Sequence, residues 1–165
     1  MKPITKEMVL SLYSYDPDSG LFRFKSNRGG KIAGDEAGSI RPDGYVSLAV
    51  CGRTHLAHRI AWLIANGLLP EEKIDHVNGV RYDNRISNLR AATDAQNRQN
   101  QRVARADSLI GLQGVTKTNP NCSRPFIARL KTNGVSKTIG SFETATEAHL
   151  AYVEAKRSRH AFCTI

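Results

Sequence analysis

Turn signals recur so often along this chain that only short elements fit between them. Tyr15-Asp16-Pro17-Asp18-Ser19-Gly20, Gly29-Gly30, Gly34, Pro42-Asp43-Gly44, Gly52-Arg53, Asn78-Gly79 and Asn133-Gly134 all favour reversal of the backbone. Between them, Leu21-Phe22-Arg23-Phe24 and Tyr45 to Val50 alternate as strands do. A short helix is expected within residues 1–15, with Met8, Val9 and Leu12 on one face. Leu56, Ile60, Leu63 and Ile64, with Trp62 nearby, predict a helix over 55–66 that Gly67 and Pro70 stop. Residues 73–77 read as a strand, Ile86 and Leu89 anchor its return, and Thr93 caps a helix over about 94–102. After Gly114 the pattern becomes a three-stranded meander: Val115-Thr116, Phe126 to Leu130, and Ser136 to Gly140. A helix follows from Thr144 or Thr146 to about Lys156, with Ala148, Ala151, Tyr152 and Ala155 on one face.

These pieces give an α+β fold class. Small N-terminal antiparallel strands accompany a strand–strand–helix finger, and then comes a three-stranded antiparallel sheet packed on one helix. The expected boundaries are an N-terminal β region over 1–50, a second region over 51–102 with the finger at about 71–102, a polar and basic linker over 103–110, and a C-terminal module over 111–165.

The formal net charge is +9 and the pI about 9.8. Such an excess of Lys and Arg favours association with a polyanion through counterion release, so nucleic acid is the first candidate partner. A membrane is not expected as a partner. The longest apolar stretch, Ile60 to Leu69, is broken by Asn66 and Gly67 and falls short of the about 20 residues that a span needs. The N-terminus lacks the apolar core of a secretory signal, so a cytoplasmic location is expected. Cys51, Cys122 and Cys163 are odd in number, far apart and free of any C-x-x-C, so no structural zinc is expected.

The chemistry concentrates between Lys73 and Asn97. Asp75 and His76 are adjacent, Asn88 lies on the return, and Asn97 lies on the following helix. A carboxylate and an amide oxygen suit a hydrated Mg²⁺-like ion whose shell water and phosphate complete. Imidazole titrates near neutrality, so His76 suits deprotonation of a water. Asn88 can fix the loop or the tautomer of His76. Taken singly, each residue is more often structural. Neighbours on a strand also point to opposite faces, which sets Asp75 and His76 apart unless the strand ends or twists there.

The stretch resembles the HNH endonuclease family, in particular its phage and intron-encoded members. The matching residues are Ala57-His58-Arg59, Trp62, Asp75-His76, Asn78-Gly79, Asp83-Asn84-Arg85, Asn88-Leu89, Thr93 and Asn97. The resemblance implies a ββα-metal fold in which Asp75 and Asn97 bind a divalent ion, Mg²⁺ or Mn²⁺. It makes His76 the general base and gives Asn88 a supporting catalytic part. Asn97 stands where many relatives have His, which makes this an HNN variant. The implied activity is hydrolysis of double-stranded DNA by a phage homing-type enzyme in the cytoplasm of a bacterial host, a monomer if it nicks and a dimer if it cuts both strands. Arg59, Arg85, Arg98 and Arg102 are the expected DNA contacts of this half, although bracing of the finger is an equal reading for Arg59.

Residues 111–162 resemble an Apetala-two-type domain, the DNA-binding module of ethylene-response factors. Gly114-Val115, Phe126-Ile127-Ala128, Lys137, Ile139-Gly140, Phe142, Thr144, Glu147-Ala148 and Ala151-Tyr152 carry the likeness. It implies a sheet laid in the major groove, with Lys117, Arg124, Arg129, Lys131 and Lys137 facing DNA. A DNA-binding regulator with a degenerate nuclease fold is the alternative to an enzyme, and an RNA-binding protein is a more remote one.

Overall fold

The computed structural model describes residues 3–104, 108–119 and 121–165. The chain separates into two compact units, Met1–Asp94 and Ala95–Ile165. Of the expected linker over 103–110, residues 105–107 lie outside the described residues.

The first unit opens with helix α1 (Lys6–Leu12), whose N-terminus is capped by the Thr5 hydroxyl accepting from the Met8 N–H. Strands β1 (Tyr13–Tyr15), β2 (Phe22–Phe24) and β3 (Glu36–Ala37) form one antiparallel sheet in that order. Strands β4 (Ser39–Ile40), β5 (Val46–Val50) and β6 (Arg53–Leu56) form a second. Residues 53–56, part of which the sequence assigns to a helix, complete this sheet instead. Helix α2 (Ala57–Asn66) starts only after them and ends on Gly67 in the left-handed region. Strand β7 (Lys73–His76) pairs antiparallel with β8 (Leu89–Ala92), which follows a 3-10 turn at Ile86–Asn88. Helix α3 (Asp94–Gln99) comes next. It is shorter than the sequence suggests, because Asn100 beyond its end is buried and accepts from the Thr164 hydroxyl.

One apolar core serves this whole unit. Val9, Tyr13, Phe22, Leu48 and Val50 from the N-terminal strands pack with Ile60, Leu63, Ile74 and Leu89 of the finger. The N-terminal region therefore braces the finger. The Tyr15 hydroxyl donates to the Asn84 carbonyl at 2.8 Å, and the Ile86 N–H reaches the Pro17 carbonyl at 3.3 Å. Gly20 makes this approach possible. Its φ is +74°, and a Cβ there would lie 2.4 Å from the Arg85 nitrogen and 2.6 Å from the Asn84 carbonyl carbon. Both neighbours are backbone, so they give way only if the loop moves. Gly20→Ala is expected to cost about 1–3 kcal/mol from the backbone conformation alone, with the clash added to it. The urea midpoint of the variant checks this.

In the second unit, β9 (Val115–Lys117), β10 (Phe126–Thr132) and β11 (Val135–Phe142) form an antiparallel sheet with β10 in the centre. Helix α4 (Ala145–Arg159) begins with a capping box between Thr144 and Glu147. Its Ala148 and Tyr152 pack on Val115, Ala128 and Leu130. Gly114 lets Tyr152 lie over the start of β9, since a Cβ there would sit 2.0 Å from the ring. Lys156 departs from the pattern. It is 1% exposed, with Nζ donating to the Gln101 carbonyl and, at 3.1 Å, to Gln113 Oε1. Burial lowers its pKa.

Candidate functional site

The finger places Asp75 and His76 on β7 in a regular antiparallel ladder, Asp75 opposite Arg90 and His76 opposite Leu89. The strand neither breaks nor bulges before Val77, so the alternation holds and the two side chains leave opposite faces. Both are buried. On one face, Arg90 Nε and Nη2 donate to the same Asp75 oxygen, Oδ2, at 2.9 and 2.8 Å. On the other, the His76 ring meets His58 edge-on at a centroid distance of 5.0 Å and Tyr45 at 5.8 Å. Tyr45 also lies 5.2 Å from His58. His58 comes from the first turn of α2 and Tyr45 from the turn leading into β5. The sequence places neither beside His76. The Ala57-His58-Arg59 motif marks the segment but does not show what it meets.

Electrostatics keep both imidazoles neutral. Burial first, and then the cost of a second positive charge beside His76 and Arg59, push His58 down to about 3. Burial also lowers His76, against the opposing influence of the Asn84 side chain and the Asp75 and Asp83 carboxylates. His76 is thus unprotonated at neutral pH, the state in which it can accept a proton. Both rings hold their pKa below the ordinary 6.5, so the unfolded chain binds protons that the folded chain does not. Their contribution to stability is complete above pH 6.5 and declines as the pH falls through the window that His58 extends down to about 3. Urea midpoints at about pH 7 and about pH 5 check this, and the decline is expected to be smaller in His58→Phe.

The loop between β7 and β8 is held by its amides. Asn88 is buried, its Oδ1 accepting from the Asn78 N–H and its Nδ2 donating to the Asp83 carbonyl, both at 2.9 Å. The Val77 N–H reaches the Asn88 carbonyl at 2.8 Å. Asn78 Nδ2 donates to Asp83 Oδ2 at 2.7 Å, and Asn84 Nδ2 to the Tyr82 carbonyl at 3.0 Å. Asn88 therefore acts on the backbone that follows His76. Arg85 is occupied with the Asp83 carboxylate, its Nη2 at 2.6 Å.

Arg59 Nη2 donates to the Pro70 carbonyl at 3.2 Å, which ties α2 to the segment before β7. Asn97 is half-buried on α3 in the second unit, where Arg98 is exposed. Arg102 Nη2 donates to the Thr164 hydroxyl at 2.7 Å and to its carbonyl at 3.0 Å. Among the described residues no group of three or more His, Cys, Asp or Glu is arranged to hold a metal ion. The donors the finger offers, a carboxylate and amide oxygens, fit a hard, largely hydrated cation that phosphate completes.

On the sheet of the second unit, the register shifts between Ala128 and Arg129. Ala128 and Leu130 face α4, and Arg129 and Lys131 stand on the open face, both exposed. Lys117 pairs across from Phe126, with its ammonium 5.7 Å from that ring, and Lys137 pairs across from Leu130. Both side chains thus belong to the helix side of the sheet, at its edges. Arg124 is exposed and precedes β10. The five expected contacts do not share one face, because the bulge and the pairing decide a face that alternation within a single strand cannot.

Residues 55–99 match the family model described as HNH endonuclease. This supports a nuclease function with DNA as the substrate and a divalent metal as the general requirement of such enzymes. The match does not reach residues 111–165. Comparison of the chain with curated proteins and with solved structures returned no match. Among the described residues no helix is long and apolar enough to cross a membrane.

Proposed function

We propose that the chain is a metal-dependent DNA endonuclease of the phage homing type, in which a nuclease finger cuts and the sheet of the second unit positions it on double-stranded DNA. The observation that carries this reading is His76 itself, a buried, neutral imidazole on a hydrogen-bonded strand, followed by a loop that Asn88 fixes at two points. Asp75 and Asn97 are the proposed ligands of the ion, Mg²⁺ or Mn²⁺. When bound, that ion would polarise the scissile phosphate and stabilise the leaving oxygen.

His76 takes the proton of the attacking water at its ring nitrogen. Its plane is set by the His58 and Tyr45 rings. Asn88 holds the loop backbone so that the strand end keeps its place. Arg90 orients the Asp75 carboxylate by fixing Oδ2. Arg129 and Lys131, on the open sheet face, meet the DNA of the second unit, and Arg98 adds charge to α3. An Apetala-two-type role for that sheet is part of the proposal.

One observation favours a second reading, a DNA-binding regulator without catalysis. The carboxylate that would hold the ion is already engaged by an arginine. Incubation with supercoiled plasmid or phage DNA separates the two. The enzyme converts it to open circles in Mg²⁺ and not in EDTA. Tight binding to its cognate site with no cleavage in either condition supports the regulator.

A further inference from the structure

Three arginines lie between Asp75 and Asp94, and the structure spends two of them on carboxylates. Arg85 is held by Asp83 and Arg90 by Asp75. Arg81 differs. Among the described residues its guanidinium makes no ion pair and a single hydrogen bond, from Nη1 to the Asp43 carbonyl at 2.8 Å. The nearby Asp43 carboxylate is itself taken by Arg41 at 3.1 Å. The Arg81 guanidinium carbon lies 5.1 Å from the centre of the Tyr45 ring, and that ring contacts both His58 and His76. Arg81 is exposed, while the two imidazoles beneath are buried.

The stack therefore runs from solvent inwards: guanidinium, phenol ring, imidazoles. A bare arginine on a flexible stem loses rotamer freedom when it binds. Here the aromatic face and the carbonyl hold it beforehand, over the ring that contacts His76. Arginine is suited to such a position because its planar fork of donors matches a phosphate and tolerates stacking on a ring. The carbonyl occupies one N–H, and the rest of the fork has no partner among the described residues.

We propose that Arg81 holds a phosphate of the DNA backbone beside His76, with Tyr45 as the shelf that presents it. This rests on the nuclease reading of the site, but it is read out by binding alone.

The test is the salt dependence of duplex DNA affinity of the full chain in EDTA, for the wild type, Arg81→Met and Arg81→Lys. One lost phosphate contact lowers the slope of log K against log[salt] by about one. Arg81→Met is expected to show that decrease and to weaken binding to every sequence by a similar factor. Arg81→Lys is expected to keep the slope, since it keeps the charge. Loss of the Asp43 and Tyr45 contacts by itself would move the urea midpoint and leave the slope alone. An unchanged slope in Arg81→Met overturns the proposal, as does a decrease that Arg81→Lys shares in full. If the slope falls as expected and no condition gives cleavage in Mg²⁺, the phosphate contact stands and the nuclease reading fails.

Discussion

His76→Ala is expected to lower the rate of Mg²⁺-dependent strand scission by about 10²- to 10⁴-fold, the usual contribution of a positioned general base. Its affinity for duplex DNA in EDTA should stay within about twofold, because a neutral ring at 4% exposure supplies no charge to the backbone. The size of the effect follows from what surrounds the ring. Among the ring contacts of the described residues, His58 is the imidazole that meets it. His58 lies edge-on beside it but is held neutral with a pKa near 3, too weak a base to take the proton efficiently at pH 7. Quench-flow or gel-based nicking rates, taken with binding measured separately, decide the matter. A His76→Ala chain that nicks at the wild-type rate removes His76 from the mechanism.

Arg90→Ala should destabilise the finger strongly. The pair it breaks is largely buried, with the Asp75 side chain 7% and the Arg90 side chain 24% exposed. Removal of one partner leaves a charge in a poorly solvated place, which costs about 3–5 kcal/mol when a pair is fully buried. The partial exposure of Arg90 points to the lower end of that range. Removal of both partners is less costly than removal of Arg90 alone, since no orphan charge remains. A urea double-mutant cycle of Arg90→Ala, Asp75→Ala and the double variant measures the difference. A single-variant loss below about 1 kcal/mol would mean that the pair behaves like one at the surface.

The short elements were legible because their ends are written in local chemistry. Gly67 terminates α2, Thr144 and Glu147 cap α4, and Asn133-Gly134 closes the hairpin of β10 and β11. The Asp75-His76 pair and the Asn88 amide were also legible, as a spacing on a strand and its return. Three features were not. His58 and Tyr45 reach His76 through the packing of α2 and β5 onto the finger, and no spacing along the chain encodes that. Arg90 reads as one more basic residue until the register sets it opposite Asp75. On the second sheet, Lys117 and Lys137 look equivalent to Arg129 and Lys131 until the pairing of Lys117 with Phe126 and the shifted register after Ala128 assign their faces. In each case a non-local pairing decided the outcome, whereas propensity and turn chemistry act over a few residues. Lys156 is the strongest example: a charged residue near a helix end that the fold buries between two carbonyl oxygens.

In the proposed nuclease reading, the Asp75 carboxylate holds a divalent ion. A crystal of the full chain bound to its duplex DNA and soaked in Mn²⁺ tests it most directly, through the anomalous signal of the ion. The expected result is a peak about 2.1 Å from an oxygen of Asp75, with a DNA phosphate in the same shell. Asp75 still paired to Arg90 in that complex, with no peak at its carboxylate, would contradict it.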